Sequence, residues 1–381
     1  MSRLILALLI AAAAFAQPAA RRIVSPEISV DRHITFRLSA PKATEVVLHF
    51  GEGALQTHAM TKGEAGIWSV TIGPIEPEIY TYSFLVDGTK VIDLANPIAK
   101  IGATIDASVV EIPGDPPRFD QVQAVPHGSM DIHTYPSAVS KTQRGLYVYV
   151  PAEYYSEPRK RFPVLYLWHG GGGAELDWSR DGRAGVILDN LIAGKKAVPM
   201  LIVMPNNVSG APAPGVTPSV VPAAGGPGAA NYPLLQRELL EEIIPFVAGH
   251  YRTIENRESR AMAGLSAGGG TTMNVGLTSL DAFAWIAEFS SGIFGGVASY
   301  GPFDIEKIAP GFYSDPSAIN RKLKLFYMSC GTEDPRMPFH KKALQDFQSH
   351  QIKVTFAEFP GAHEWKVWRH SLADLAPRLF R

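Results

Sequence analysis

Cysteine is almost missing from this chain. The 381 residues contain one, Cys330, so no disulfide can form within the chain and stability must come from packing. An excess of charge is missing too: 35 Lys plus Arg stand against 36 Asp plus Glu, a formal net charge of -1, and this argues against a nucleic-acid partner, which calls for a basic patch. Long apolar runs are limited to residues 4–16, shorter than the roughly 20 residues a membrane-spanning helix needs. Arg3 precedes that run and Ala14-Phe15-Ala16 closes it in a small-x-small pattern. Residues 1–16 are therefore expected to be a removable export signal, which makes the mature protein secreted or periplasmic with no stable membrane association. The histidines are scattered, with no His-x-x-x-His pair on an evident helix, and a lone cysteine excludes thiolate clusters, so no metal site is expected. Cys330, inside "KLFYMSCG", reads as a buried residue at a strand end.

Glycine (35) and proline (30) are plentiful and punctuate the chain with turns. Across residues 23–113, short β-rich runs such as "HITFRLSAP", "EVVLHF", "IWSVTIG" and "YTYSFLVDG" alternate with turn signals. That spacing predicts an all-β sandwich. Residues 114–124 are proline-rich and aperiodic and read as a linker. From 125 to 381 the runs become continuously apolar: "FPVLYLWHG", "MLIVMPN", "FAWIAEFSS", "LKLFYMSCG". Strands buried on both faces of a parallel sheet look like this. Helix-period segments lie between them, clearest in "NYPLLQRELLEEIIPFVAGHY", where Leu235, Leu239, Ile243 and Val247 form one stripe and Asn231 sits at the N-cap. The fold class is α/β with a mostly parallel sheet, preceded by a small all-β unit. The Gly-, Ala- and Pro-rich insertion at 208–230 follows the "MLIVMPN" strand and is expected as a surface loop near the sheet's C-terminal edge, where ligands bind in open α/β sheets.

Within "RAMAGLSAGGG", one serine is set among glycines. A phosphate loop would need a following Lys, and a dinucleotide fingerprint a different glycine spacing and an earlier position. Gly264-Leu265-Ser266-Ala267-Gly268 instead has the Gly-x-Ser-x-Gly form of a nucleophile elbow, strand before and helix after. A serine hydroxyl needs a base, and the base an acid to fix its tautomer. In α/β-hydrolases the order is Ser, Asp or Glu, His, each partner on a loop after a strand. "LFYMSCGTEDPR" offers Asp334, chosen here as the acid, with Glu333 the alternative that spacing does not exclude, and "VTFAEFPGAHEW" offers His363 as base. "LWHGGGG" places His169 and four glycines after an upstream strand, so the amides of Gly171 and Ala267 are the expected oxyanion donors, with His169 a buried orienting residue. Trp178 either lines the pocket for an aromatic acyl group or packs in the core. Such a mechanism needs no cofactor.

Together "VPHGSMDIHTYPS", "RGLYVYVPAEYY", "FPVLYLWHGGGG", "RAMAGLSAGG", "CGTEDP" and "GAHEW" resemble carbohydrate esterase family 1, the feruloyl and acetyl xylan esterases related to esterase D and the enterochelin esterases. The stretch "GIWSVTIGPIEPEIYTYSFLVDGTKVIDLANP" resembles carbohydrate-binding module family 48, an immunoglobulin-like domain, through Trp68, Tyr80, Tyr82, Asp87, Gly88 and Asn96-Pro97. It departs from that module at Asp93-Leu94, where Asp-Pro is usual. The resemblance implies an α/β-hydrolase fold with Ser266 as nucleophile, His363 as base and Asp334 as acid. It further implies an exported serine esterase whose substrate is a polysaccharide-linked or small ester, foremost a feruloyl ester. Acetyl xylan esterase and siderophore esterase are alternatives within the class, and a non-catalytic carbohydrate-binding protein is the alternative outside it.

Overall fold

The computed structural model describes residues 23–52, 55–101, 105–213, 231–297 and 302–381. The expected export signal at 1–16, and residues 214–230 of the insertion expected as a surface loop, lie outside the described residues.

Alternating sequences produce the N-terminal sheets. In Ile34–Ser39 the inward positions Ile34 and Phe36 are buried while their neighbours are not, as a half-buried strand requires. Four strands pair antiparallel in one sheet and six in a second. Both close on one core containing Phe36, Leu48, Phe50, Trp68, Tyr82 and Phe84. The Tyr82 ring lies 4.6 Å from Phe36, its hydroxyl donates to Asp93 Oδ2 at 2.8 Å, and the Trp68 indole N–H donates to the Ala40 carbonyl at 2.9 Å. Trp68 and Tyr82 are thus structural in their polar atoms as well as their rings.

Residues 114–124 carry no helix or strand, yet they are fastened rather than loose, contrary to what a proline-rich linker suggests. Asn190 donates to the carbonyls of Phe119 and Gln121 at 2.8 and 2.9 Å. Asp120, almost fully buried, sits 2.9 Å from Arg118 Nε and 2.8 Å from Arg369 Nε.

The C-terminal half is built on an eight-stranded sheet: β1 (Ser129–Ser137), β2 (Thr142–Val150), β3 (Val164–Trp168), β4 (Leu201–Pro205), β5 (Arg260–Leu265), β6 (Trp285–Phe289), β7 (Leu325–Gly331) and β8 (Thr355–Phe359). The spatial order is 1-2-4-3-5-6-7-8. β1, β2 and β4 pair antiparallel, and every neighbour from β4 to β8 runs parallel. Every residue of β3, β4 and β6 is buried, because helices cover both faces. One face packs Leu235, Leu239, Ile243 and Val247 of the 232–250 helical segment; the other packs Ile187, Leu188, Leu372 and Leu375. Asn231 caps that segment, its Oδ1 accepting from the Leu234 N–H at 3.1 Å. Parallel order sends the C-terminal ends of β3, β5, β7 and β8 to one edge, and the loops leaving that edge carry the site.

Candidate active site

The turn from β5 into the helix Ala267–Thr271 holds Ser266 at φ 51° and ψ −113°. For a residue with a Cβ this strain costs about 1–3 kcal/mol and persists only where the surroundings enforce it. Here the enforcement is close packing. A Cβ on Gly264 would stand 2.3 Å from the Gly268 carbonyl oxygen, and one on Gly268 would stand 2.4 Å from that of His169. Strand, helix and the neighbouring loop approach one another so nearly that only glycine fits. The Ser266 N–H donates to the Phe289 carbonyl at 2.8 Å and fixes the turn to β6.

His363 follows β8. Its Nε2 lies 2.9 Å from Ser266 Oγ and its Nδ1 lies 2.7 Å from Asp334 Oδ2. A carboxylate only accepts, so Nδ1 carries the proton and Nε2 is left to accept from the serine hydroxyl. Asp334, in the turn after β7, is 2% exposed, and its Oδ1 accepts from the Arg336 N–H at 3.0 Å. Burial by itself would raise the Asp334 carboxyl. The hydrogen bonds from His363 and the Arg336 backbone, with the charges of both side chains, overcome this and hold it at about 2. Glu333, its sequence neighbour, is exposed, so the choice between the two carboxylates falls to Asp334. The Trp368 ring meets His363 edge to face, 4.9 Å away and nearly perpendicular.

The glycine loop after β3 borders the same space. A Cβ on Gly171 would lie 3.7 Å from that of Ala267, so the two residues chosen from sequence are neighbours. Ala267 opens its helix, and its N–H therefore has no intrahelical acceptor. His169 is 1% exposed; burial pushes its imidazole down to about 4, so it is neutral. It donates through Nδ1 to the Gly170 carbonyl at 2.8 Å and accepts through Nε2 from the Asn207 N–H at 2.8 Å, which ties the glycine loop to the loop after β4. Cys330 is fully buried in β7, where burial pushes its thiol up, and it takes no part.

Trp178 does not line the pocket. It is 1% exposed, its indole N–H donates to the Trp168 carbonyl at 2.9 Å, and its ring meets Trp365 edge-on at 5.3 Å. The helix containing it turns the indole beneath the glycine loop, a core position. The aromatic wall comes instead from Trp365 and Trp368, three apart on the helix Trp365–Leu375 that begins just after His363. Their spacing directly behind the base was the available signal. A cavity of about 310 Å³ adjoins Ser266 and His363 and is lined also by Gly170 to Gly173, Asp177, Asp181, Trp365 and Trp368. Burial raises Asp177 to about 7 and Asp181 to about 6. A larger space of about 760 Å³, bordered by Phe294, Phe303, Tyr313 and Phe339, includes none of Ser266, Asp334 and His363.

A serine hydroxyl, an imidazole, a buried carboxylate and glycine amides around one cavity are suited to acyl transfer. The fold and this site define a serine carboxylic-ester hydrolase of the α/β-hydrolase fold. The chain belongs to the Esterase family, whose model, described as "Putative esterase", matches residues 137–379. It is 28% identical over 362 residues to an "Endo-1,4-beta-xylanase/feruloyl esterase" of Xylanibacter ruminicola, covering 93% of this chain and 46% of the relative. It is 27% identical over 264 residues to the "Endo-1,4-beta-xylanase Y" of Acetivibrio thermocellus, covering 62% and 22% respectively. The chain thus spans less than half the length of these curated relatives. Among solved structures, a ferulic acid esterase of Anaeromyces mucronatus in complex with ferulic acid is similar at TM-score 0.53 and 24% identity, over 68% of this chain and 93% of that one. The enterobactin esterase of Shigella flexneri is similar at TM-score 0.61 and 15% identity, over 90% and 92%.

Proposed function

We propose that this protein is an exported feruloyl esterase acting on ester-decorated plant polysaccharide. The observation that carries the catalytic assignment is the continuous relay from Ser266 Oγ through His363 to Asp334, set beside an aromatic-walled cavity. The hydroxycinnamoyl preference draws on the curated relative named as a xylanase and feruloyl esterase, and export on the signal-like segment 1–16. In this reading Ser266 Oγ attacks the ester carbonyl carbon as His363 Nε2 takes its proton. The tetrahedral oxyanion receives hydrogen bonds from the amides of Gly171 and Ala267, each such donor contributing about 2.7–4 kcal/mol to the transition state. The carbon–oxygen bond to the alcohol breaks, His363 returns the proton to the leaving oxygen, and Ser266 is acylated. Water deprotonated by His363 then releases the acid and restores the serine.

The test is a parallel assay of methyl ferulate, p-nitrophenyl acetate and enterobactin with wild type and Ser266→Ala, together with fluorophosphonate labelling. Ferulate turnover that vanishes in the variant is the expected result. Turnover of enterobactin alone would reassign the substrate. Xylan binding with neither ester hydrolysis nor labelling of Ser266 would make the chain a carbohydrate-binding protein and overturn the enzyme reading.

A further inference from the structure

The cavity beside Ser266 is not enclosed by the hydrolase sheet and its loops alone. Two of its lining residues, Glu52 and Lys100, come from the N-terminal sheets. Glu52 follows the strand Val46–Phe50, and Lys100 is in the strand Ala99–Ile101. The two side chains form an ion pair, and each is partly buried, 24% and 30% exposed. Their placement is held from both sides. Glu52 Oε2 accepts from the Trp365 N–H at 3.3 Å, at the start of the helix that also carries Trp368. Arg183 reaches Glu111 at 2.8 Å, and Arg369 reaches Glu78 at 2.6 Å, so the sheets are clamped to the hydrolase half close to the pocket.

At the polar end, Asp177 is 7% exposed, and its Oδ1 has no hydrogen-bond partner within the protein. That oxygen is itself out of reach of solvent, so the polar groups this end offers a ligand are the Glu52 and Lys100 side chains beside the Asp177 carboxyl. Trp365, Trp368 and Leu265 line the same cavity as Ser266. A space of about 310 Å³ is at the small end of ligand cavities, enough for one substituted ring and a short arm. The alcohol side of a polymer-linked ester continues along a chain and needs open solvent, whereas the acyl side ends. A small, walled space beside the serine therefore suits the acyl group.

We propose that the N-terminal sheets complete the acyl pocket, with Lys100 and Glu52 as specificity residues that, facing Asp177, select an aromatic acyl group bearing a hydroxyl. This rests on the feruloyl esterase reading and names which part of the substrate the N-terminal half contacts. An acetyl group fills little of a space of about 310 Å³, and a ring without a hydroxyl leaves the polar end unmatched.

The full chain carrying Lys100→Met or Glu52→Gln tests this through kcat/KM on methyl ferulate, methyl dimethoxycinnamate and p-nitrophenyl acetate. The wild type should prefer the ferulate to the dimethoxy ester. Its ferulate-to-acetate ratio should fall about tenfold in Lys100→Met and about threefold in the near-isosteric Glu52→Gln, through KM rather than kcat. Ratios unchanged within about twofold in both variants, with the wild type still cleaving ferulate, would overturn the role of the pair and leave the feruloyl reading standing. A wild type that cleaves the acetate but not the ferulate would instead overturn that reading, and this proposal with it.

Discussion

Arg369 Nη2 reaches Glu78 Oε1 at 2.6 Å across 291 positions of sequence, and its Nε lies 2.8 Å from Asp120 Oδ2. One guanidinium, 2% exposed, thereby joins the N-terminal sheets, the connecting segment and the helix behind His363. Truncating Arg369 to Ala leaves the buried Glu78 without its cation and Asp120 with Arg118 alone. The expected loss is about 3–5 kcal/mol, read as a lower urea midpoint. An unchanged midpoint would mean that the two halves are held by something else.

Asp334→Asn keeps the side-chain shape but replaces an acceptor-only group with an amide. His363 then loses the partner that holds the proton on Nδ1. The expected fall in kcat is about ten-thousandfold, with KM little altered. Glu333→Gln, exposed and outside the relay, should stay within about twofold of wild type. Reversal of these two results would move the acid to Glu333.

The pH dependence of stability follows from two carboxylates with opposite behaviour. Asp334 is held at about 2, so its contribution is fully present above its unfolded value of 3.8 and is lost as pH falls through about 2. Asp177 is raised to about 7, so the folded state binds the extra proton and is weakened as pH rises from 3.8 towards 7. At about 1.4 kcal/mol per pH unit over that interval, charging Asp177 costs at most about 4 kcal/mol. Asp177→Asn should therefore raise Tm at pH ~8, with a much smaller change at pH ~5. Equal shifts at both values would contradict the buried carboxyl.

Gly264→Ala tests the packing beneath the elbow. A methyl group there would meet the Gly268 carbonyl oxygen at 2.3 Å, which demands backbone movement. Destabilisation of about 1–3 kcal/mol or more is expected, with a lowered kcat as Ser266 shifts. Gly172→Ala, where nothing lies within 4 Å of the added carbon, meets no such clash, although its φ of 71° still disfavours a side chain. The larger loss should fall on Gly264, as seen in chemical unfolding of both variants.

Much of the site was legible because its parts are short and ordered. The glycines around Ser266 declare a tight strand-to-helix turn, and β7 and β8 end immediately before Asp334 and His363. Two adjacent carboxylates, by contrast, carry the same local pattern, and only the turn after β7 buries one and exposes the other. Trp178 was ambiguous for a similar reason: a tryptophan near the glycine loop can face either side of it, and here it faces the core. Glu52 and Lys100 offered no signal at all, since they lie in another sheet assembly, far from Ser266 along the chain.

By itself, the order of residues determined the alternation of strands and helices, the type of nucleophile and the succession of serine, acid and base. These are local matters, governed by side-chain periodicity and by the backbone freedom of glycine. Tertiary structure decided which carboxylate is buried, which indoles form the pocket wall and that residues of the N-terminal sheets border the cavity beside Ser266. Such convergence depends on how whole layers pack and on which charges the packing leaves without water, and neither is written in any single stretch of sequence.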